Sequence, residues 1–319
     1  MAETSETHWR SAGEVLRAVA RPVAQITRMV PTRMALMAQR GQGPRAVFLP
    51  SAGRDGAALL RIYNMADRLC EHGWRTLVLP RALTLAQRHR LLAAAAPDIV
   101  VMQGVRHALN RPALYPGQQI VLDMDDADFH LPHLAAPLQR AMGGVQAVVA
   151  GSDYVAAWCR GAGAPTVYTV LTGMPVSPGS RPSQQMRPPV VAWAQTRPMT
   201  YTHEADLVRA VMTGLVARIP GVRLRLYDRR PDDDPGFLAS FEAAGIPTEW
   251  RAAMPLDAYL ASFDDVALGL APLCADAPFS RGKSVGKVLG YLDRHVPFIA
   301  CYRGAHGQVF DSASGVVSN

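Results

Sequence analysis

In RAVFLPSAGRDGAALLRIYNMADRLCEHGWRTLVLP (45–80) an apolar run, a loop of small residues and a helical pattern follow one another and lead into a second apolar run. RAVFLP (45–50) is continuously apolar at its centre, as expected of a strand buried on both faces. SAGRDG (51–56) supplies a flexible turn. The pattern from Ala57 to His72 is helical and is closed by Gly73, the residue type favoured just past a helix end. TLVLP (76–80) starts the next strand.

The same punctuation continues along the chain. A helix is expected through LAQRHRLLAAAA (85–96), strands at DIVVMQ (98–103), QIVLDMDD (119–126) and QAVVAGS (146–152), a helix near Tyr154 to Arg160, and a strand in TVYTVLTG (166–173). PVSPGSRPSQQMRPP (175–189) is rich in Pro, Ser and Gln and reads as a linker. Beyond it the alternation restarts: strands at VVAWAQ (190–195), VRLRLYD (222–228), TEWRA (248–252), DVALGLAPL (265–273) and VPFIACY (296–302), with helices near 203–219, over FLASFEAAG and near 256–262. Short apolar strands alternating with helices mean α/β domains, each with a parallel sheet covered on both faces. The organisation expected is a basic extension (1–44), a Rossmann-like domain (45–174), the linker (175–189) and a second Rossmann-like domain (190–319), facing each other across a cleft where ligands of such folds bind.

Composition narrows the function classes. At 319 residues, with 49% hydrophobic residues, the chain is long enough for two cores. A net charge of +7 invites nucleic acid as a partner. The arginines are scattered, however, and no basic cluster interleaves with aromatics, so no nucleic-acid surface is expected. Cys70, Cys159, Cys274 and Cys301 stand far apart, which argues against a zinc site or disulfide framework and fits reduced thiols. No secretory signal or membrane-spanning stretch is legible, so a cytoplasmic location is expected. Within 1–44, Val15, Leu16, Val19, Val23, Ile26 and Met29 alternate with arginines at roughly helical spacing. That pattern suits peripheral contact with an anionic membrane, or a helix packed on the domain, and Pro22 and Pro31 interrupt it.

Chemistry concentrates in ADAPFSRGKSVGKVLGYLDRHVPFIA (275–300). Of the 33 basic residues only Lys283 and Lys287 are lysines, and both lie here, spaced i and i+4 so that they share one face of a helix start. With Arg281, Gly282 and Ser284 they suit an anion, a diphosphate above all. APFSRGKS differs from the P-loop pattern by one letter, but Ala277 replaces its first glycine and Pro278 removes an amide that would cradle phosphate. DMDDAD (123–128) follows a strand and so faces the cleft; its carboxylates suit a hard cation, a turn cap, or a contact that needs no metal. Gly53, Arg54 and Gly56 form a glycine loop that could approach an anionic ligand or serve as an ordinary strand–helix turn. His107, His130 and His133 lie near the cleft edge as polar loop residues.

Together these segments resemble the GT-B glycosyltransferases, in particular the family 4-like group. AGRDGAALLRIYNMADRLCEHGWRTLVLP is similar to their first strand, glycine loop and helix, and PDIVVMQ to a later strand. IVLDMDDADFH is similar to the D-x-D-D segment of one subgroup, and GSDYVAAWCRGAG with TVLTGMPV to the passage into the linker. SFDDVALGLAPLCADAPFSRGKSVGKVLGYLDRHVPFIA resembles the subgroup pattern KS-x-x-K-x-x-EY.

The resemblance implies a sugar nucleotide donor held by the C-terminal domain and a glycan, lipid-linked or small-molecule acceptor held by the N-terminal one. It implies hexosyl transfer for a surface polysaccharide, retention of configuration, and no essential metal or other cofactor. Carried over by residue, Gly282, Lys283, Ser284 and Lys287 match the diphosphate region, the Gly53–Gly56 loop lies near donor phosphates or acceptor, and Asp125 falls at a cleft position that contacts the sugar. The family glutamate that contacts the ribose falls at Gly290, which leaves Asp293, one turn on, as the candidate ribose contact. Relatives also continue past the SGVV segment, after which this chain ends at Asn319. A catalytically silent GT-B-like partner protein and a P-loop nucleotidase therefore stand beside the enzyme reading.

Overall fold

A computed structural model describes residues 29–39, 42–227, 235–274, 276–301, 306–307 and 316–318. The first sheet is built from β1 (Arg45–Leu49), β2 (Arg75–Val78), β3 (Ile99–Gln103), β4 (Ile120–Met124), β5 (Ala147–Ala150) and β6 (Val167–Thr169), in the order β2-β1-β3-β4-β5-β6. Every pairing is parallel, with Val47 opposite Leu77 on one side and Val100 on the other. Ala46 to Leu49 are fully buried, as a central parallel strand requires. Burying each large side chain among them contributes about 1.5–3 kcal/mol. The chain reverses its direction of winding between β1 and β3, and a crevice opens there at the carboxyl ends of the strands.

The second sheet repeats the plan with β7 (Val190–Ala194), β8 (Arg223–Tyr227), β9 (Thr248–Arg251), β10 (Leu268–Ala271), β11 (Phe298–Cys301) and β12 (Val316–Ser318). Its order, β12-β11-β10-β7-β8-β9, puts the switch between β7 and β10. Each strand predicted from the sequence is present in shortened form.

Three features differ from the sequence expectation. The helix expected over 57–72 starts as α2 (Gly56–Ala58), passes through a π turn (Leu59–Tyr63) and ends as α3 (Asn64–Glu71). Helix α5 (Pro132–Met142), absent from the sequence reading, covers the first sheet with Leu134, Leu138, Ala141 and Met142 buried. Pro132, tolerated at the first helical position, and Pro137, inside the helix, obscured the helical period. Of the basic extension, residues 1–28 lie outside the described residues; 29–38 form α1, whose Met29 and Leu36 pack on the first core while Met34 and Met37 are exposed. Among the described residues no helix is long and apolar enough to cross a membrane.

Helices α10 (Pro278–Arg281) and α11 (Gly286–Asp293) carry the lysine motif. Tyr291 pins α11 over the second switch point: its hydroxyl donates to Ala192 O and Leu270 O (3.0 and 3.2 Å) and accepts from Ala194 N (3.0 Å). Asp293, on the same helix, faces the linker.

Candidate active site at the interdomain cleft

β4 delivers the aspartates. Asp123, next to last in the strand, is 2% exposed and meets Arg61, also 2% exposed, from the π turn. Arg61 donates through Nη2 and Nε to Asp123 Oδ1 at 2.6 and 3.0 Å, and through Nη1 to Val170 O at 2.5 Å. Burial pushes the Asp123 carboxyl up and Arg61 pulls it back. The guanidinium fork ties the helix, β4 and the chain entering the linker into one unit. π turns inside helices recur at functional sites, and here the turn carries Arg61.

Asp125 continues from β4 and accepts from Thr172 Oγ1 at 2.5 Å. Burial, then the charge of Asp126, pushes its carboxyl up to about 6. Gly151 makes this position available, because a Cβ there would lie 2.8 Å from Asp125 Oδ1. Asp126 and Asp128 share Arg106, which follows β3: Nη2 reaches Asp126 Oδ2 at 3.0 Å and Nε reaches Asp128 Oδ2 at 2.7 Å. Burial works upward on Asp126, but Lys283 and Arg106 outweigh it and hold the carboxyl below its ordinary value.

Lys283 comes from the other domain. Its Nζ lies 3.4 Å from Asp126 Oδ2, beneath the rings of Phe279 (5.2 Å) and Tyr201 (5.7 Å). Burial pulls the ammonium down, yet Asp126 prevails and the net displacement is upward. Lys287 Nζ donates to Thr196 Oγ1 at 3.2 Å, just after β7. Burial and then the like charge of Lys283 lower it to about 8. Glu204, on α7 (Thr202–Val216) and 4% exposed, braces the lysine loop by accepting from Cys274 N at 2.8 Å and Ser280 Oγ at 3.0 Å. Gly282 touches the first domain so closely that a Cβ would stand 2.5 Å from the Cβ of Ala127.

The structure thus brings Asp125, Gly282, Lys283 and Lys287 to one cleft, with half-buried Ser284 beside them and exposed Arg281 at the rim. Gly53 and Gly56 border it through Ser51 and Ala57, which line its cavity with Gln103, Gly104 and Arg106. Other candidates stand apart. Arg54 turns back to its own helix, pairing with Asp67 at 2.7 Å and lying over Tyr63. Asp293 accepts from Ser177 N at 2.7 Å and lies 3.5 Å from Arg181, so its carboxylate is held by the linker. At Gly290 a Cβ would meet Phe263 Cε2 at 3.1 Å and Tyr259 Cε1 at 3.5 Å, so the position faces an aromatic core. The backbone of the lysine motif is engaged internally: Gly282 N donates to Phe279 O and Lys283 N to Ser280 O, which makes the segment a helical turn and no phosphate cradle. His107 is lowered to about 4 by burial and Arg88, His130 bonds Tyr154 Oη at 2.8 Å, and His133 is exposed. Among the described residues no group of three or more His, Cys, Asp or Glu is placed to hold a metal ion.

No family model matches the chain, and no curated protein does either. Solved structures are similar in fold. An α-glucosyltransferase in complex with UDP-glucose and DNA containing an abasic site superposes with a TM-score of 0.57 at 11% identity, over 82% of this chain and 80% of that one. AviGT4, a glycosyltransferase involved in avilamycin A biosynthesis, gives 0.54 at 13% identity, over 83% and 81%. The architecture is GT-B. The O-GlcNAc transferase of Thermobaculum terrenum has the same GT-B fold over 82% of this chain and 53% of its own, with a TM-score of 0.54 and 15% identity.

Within this GT-B frame, sequence reasoning missed Arg61, Arg106, Thr172, Thr196, Tyr201 and Glu204. One signal was available: Arg61 interrupts the buried stripe of Ala58, Leu59, Ile62 and Ala66, and a charge there needs a buried partner.

Proposed function

We propose that the protein is a glycosyltransferase that moves a hexose from a nucleotide diphosphate sugar to a glycan, lipid-linked or small-molecule acceptor. The donor lies at the second switch point and the acceptor at the first, with 45–174 and 190–319 as acceptor and donor domains. One observation carries the reading: the chain's only lysines stand together at the mouth of the donor sheet, Lys283 meeting buried Asp126 of the other domain and Lys287 bonded to Thr196 just after β7. The bond from the anomeric carbon to the diphosphate breaks, a bond to the acceptor oxygen forms, and the acceptor proton leaves with the diphosphate. Lys283 and Lys287 neutralise the charge that develops on the departing group, which is the task a metal performs in other transferases. Asp125 contacts the transferred sugar, configuration is retained, and Arg281 and Ser284 complete the diphosphate site, while Gly282, its amide kept in the helical turn, lets the segment approach the first domain. The setting is surface polysaccharide synthesis at the cytoplasmic face, with 1–44 touching the membrane.

A second reading, a catalytically silent GT-B partner protein, is favoured by Gly290, which replaces the carboxylate with no side chain and lies tight against Phe263. Radiolabelled UDP-, GDP- and TDP-sugars with donor hydrolysis as the readout separate the two. One donor is expected to turn over and to be lost with Lys283→Met. Binding without turnover selects the silent protein, and neither binding nor turnover sinks both.

A further inference from the structure

The Asp126 carboxylate is asymmetric. Its Oδ2 takes Arg106 at 3.0 Å and Lys283 at 3.4 Å. Among the described residues its Oδ1 is buried with no partner, on a side chain only 10% exposed. A buried carboxylate oxygen without a donor is costly, which makes an unfilled acceptor of this kind a pointer to a ligand. Asp126 lines a cavity of about 30 Å³ at the carboxyl ends of β1, β3 and β4, with Ser51, Gln103, Gly104, Arg106 and Asp125.

The same cavity offers the complementary group. Gln103 is 7% exposed, and its Oε1 accepts from both the amide and the hydroxyl of Ser51, at 2.9 and 3.0 Å. With that oxygen engaged, Gln103 has its NH₂ left to offer the cavity. An acceptor and a donor lining one cavity match a group that both donates and accepts, as a hydroxyl does. Volume agrees, since a cavity of this size admits one or two water-sized groups. Charge agrees as well: Arg61, Arg106 and Lys283 pair with Asp123, Asp126 and Asp128, and Asp125 is bonded to Thr172, so the lining holds no excess positive charge to call for an anion.

We infer that this cavity is a specificity pocket for one hydroxyl of the acceptor sugar, with Asp126 Oδ1 accepting its hydrogen and the Gln103 amide donating to its oxygen. The inference rests on the glycosyltransferase reading for the identity of its ligand. A site built to bond a hydroxyl rejects the analogue lacking it, because the buried polar groups are then left unpaired.

The test is calorimetry on the full chain with glucose, galactose, mannose and N-acetylglucosamine, followed by the monodeoxy forms of the best binder, with UDP, GDP and TDP titrated in parallel. One deoxy position is expected to bind about ten- to a hundredfold more weakly, as for a hydrogen bond to a charged group. Asp126→Ala and, independently, Gln103→Leu should weaken the parent sugar similarly and bind parent and deoxy forms alike. Lys283→Met, which removes the cross-domain ion pair but not Oδ1, should keep the discrimination. Equal binding of all deoxy forms to the unaltered protein overturns the inference, as does loss of discrimination in Lys283→Met to the same extent as in Asp126→Ala. Nucleotide binding without any sugar binding also overturns it while leaving the glycosyltransferase reading intact. Sugar binding that depends on Asp126 without nucleotide binding does the reverse.

Discussion

Lys283 Nζ lies 3.4 Å from Asp126 Oδ2, joining two residues 157 positions apart across the cleft. Both side chains are largely buried, so the pair is screened far less than a surface ion pair. Arg106 also contacts Asp126, so the carboxylate keeps one cation when the other leaves.

That residual contact sets the expectation for Lys283→Met. The stability loss should be about 1–2 kcal/mol by urea unfolding, below the 3–5 kcal/mol of a pair left wholly unmatched. Nucleoside diphosphate affinity should fall at least about tenfold by calorimetry, the equivalent of ~1.4 kcal/mol.

Lys287 is expected to trade stability for function. Its folded-state value of about 8 lies below the ordinary 10.5, so between these values the unfolded chain binds more protons and stability rises with pH. The cost of the charged, desolvated lysine is present in full below pH 8 and gone by about pH 10.5. Lys287→Met should therefore stabilise the protein by about 1–3 kcal/mol at pH 7 and by little at pH 10, while weakening diphosphate binding. Urea titrations at the two pH values and calorimetry check both halves.

Arg61→Met leaves Asp123 buried beside a thioether and should destabilise by about 3–5 kcal/mol. Adding Asp123→Leu removes the stranded charge and should recover most of that loss. A double-mutant cycle in urea measures the coupling, and additive effects would contradict the buried pair.

Gly282→Val tests how closely the domains meet. Its new Cβ would collide with Ala127 and the Tyr154 ring, so the domains must part locally. Small-angle scattering should report a larger radius of gyration, with the secondary structure unchanged by circular dichroism.

Gly290→Glu should lower stability by roughly 3 kcal/mol or more, because the side chain is driven against Phe263, which is fully buried. Donor hydrolysis should not rise. A gain in turnover would show that the helix can re-aim this position into the cleft.

The parallel strands, the linker and the lysine pair were legible because each is local: continuous apolar runs, a Pro- and Ser-rich stretch, and a residue type found nowhere else in the chain. DMDDAD was legible as a charged run, but its partners were not. Arg61, Arg106 and Lys283 are brought to it by the β1–β3 reversal and by the second domain. Asp293 looked available because sequence gives helical spacing and not the direction in which a side chain is bonded; Ser177 and Arg181 settled that from the linker.

Period, composition and turn chemistry alone therefore determined two α/β units and the stretch in which the cations gather, since those signals act over a few residues. Tertiary structure decided which charges meet. An ionised side chain leaves water only against a partner, and the partners of Asp123, Asp126 and Lys283 are fixed by packing between elements far apart in the chain.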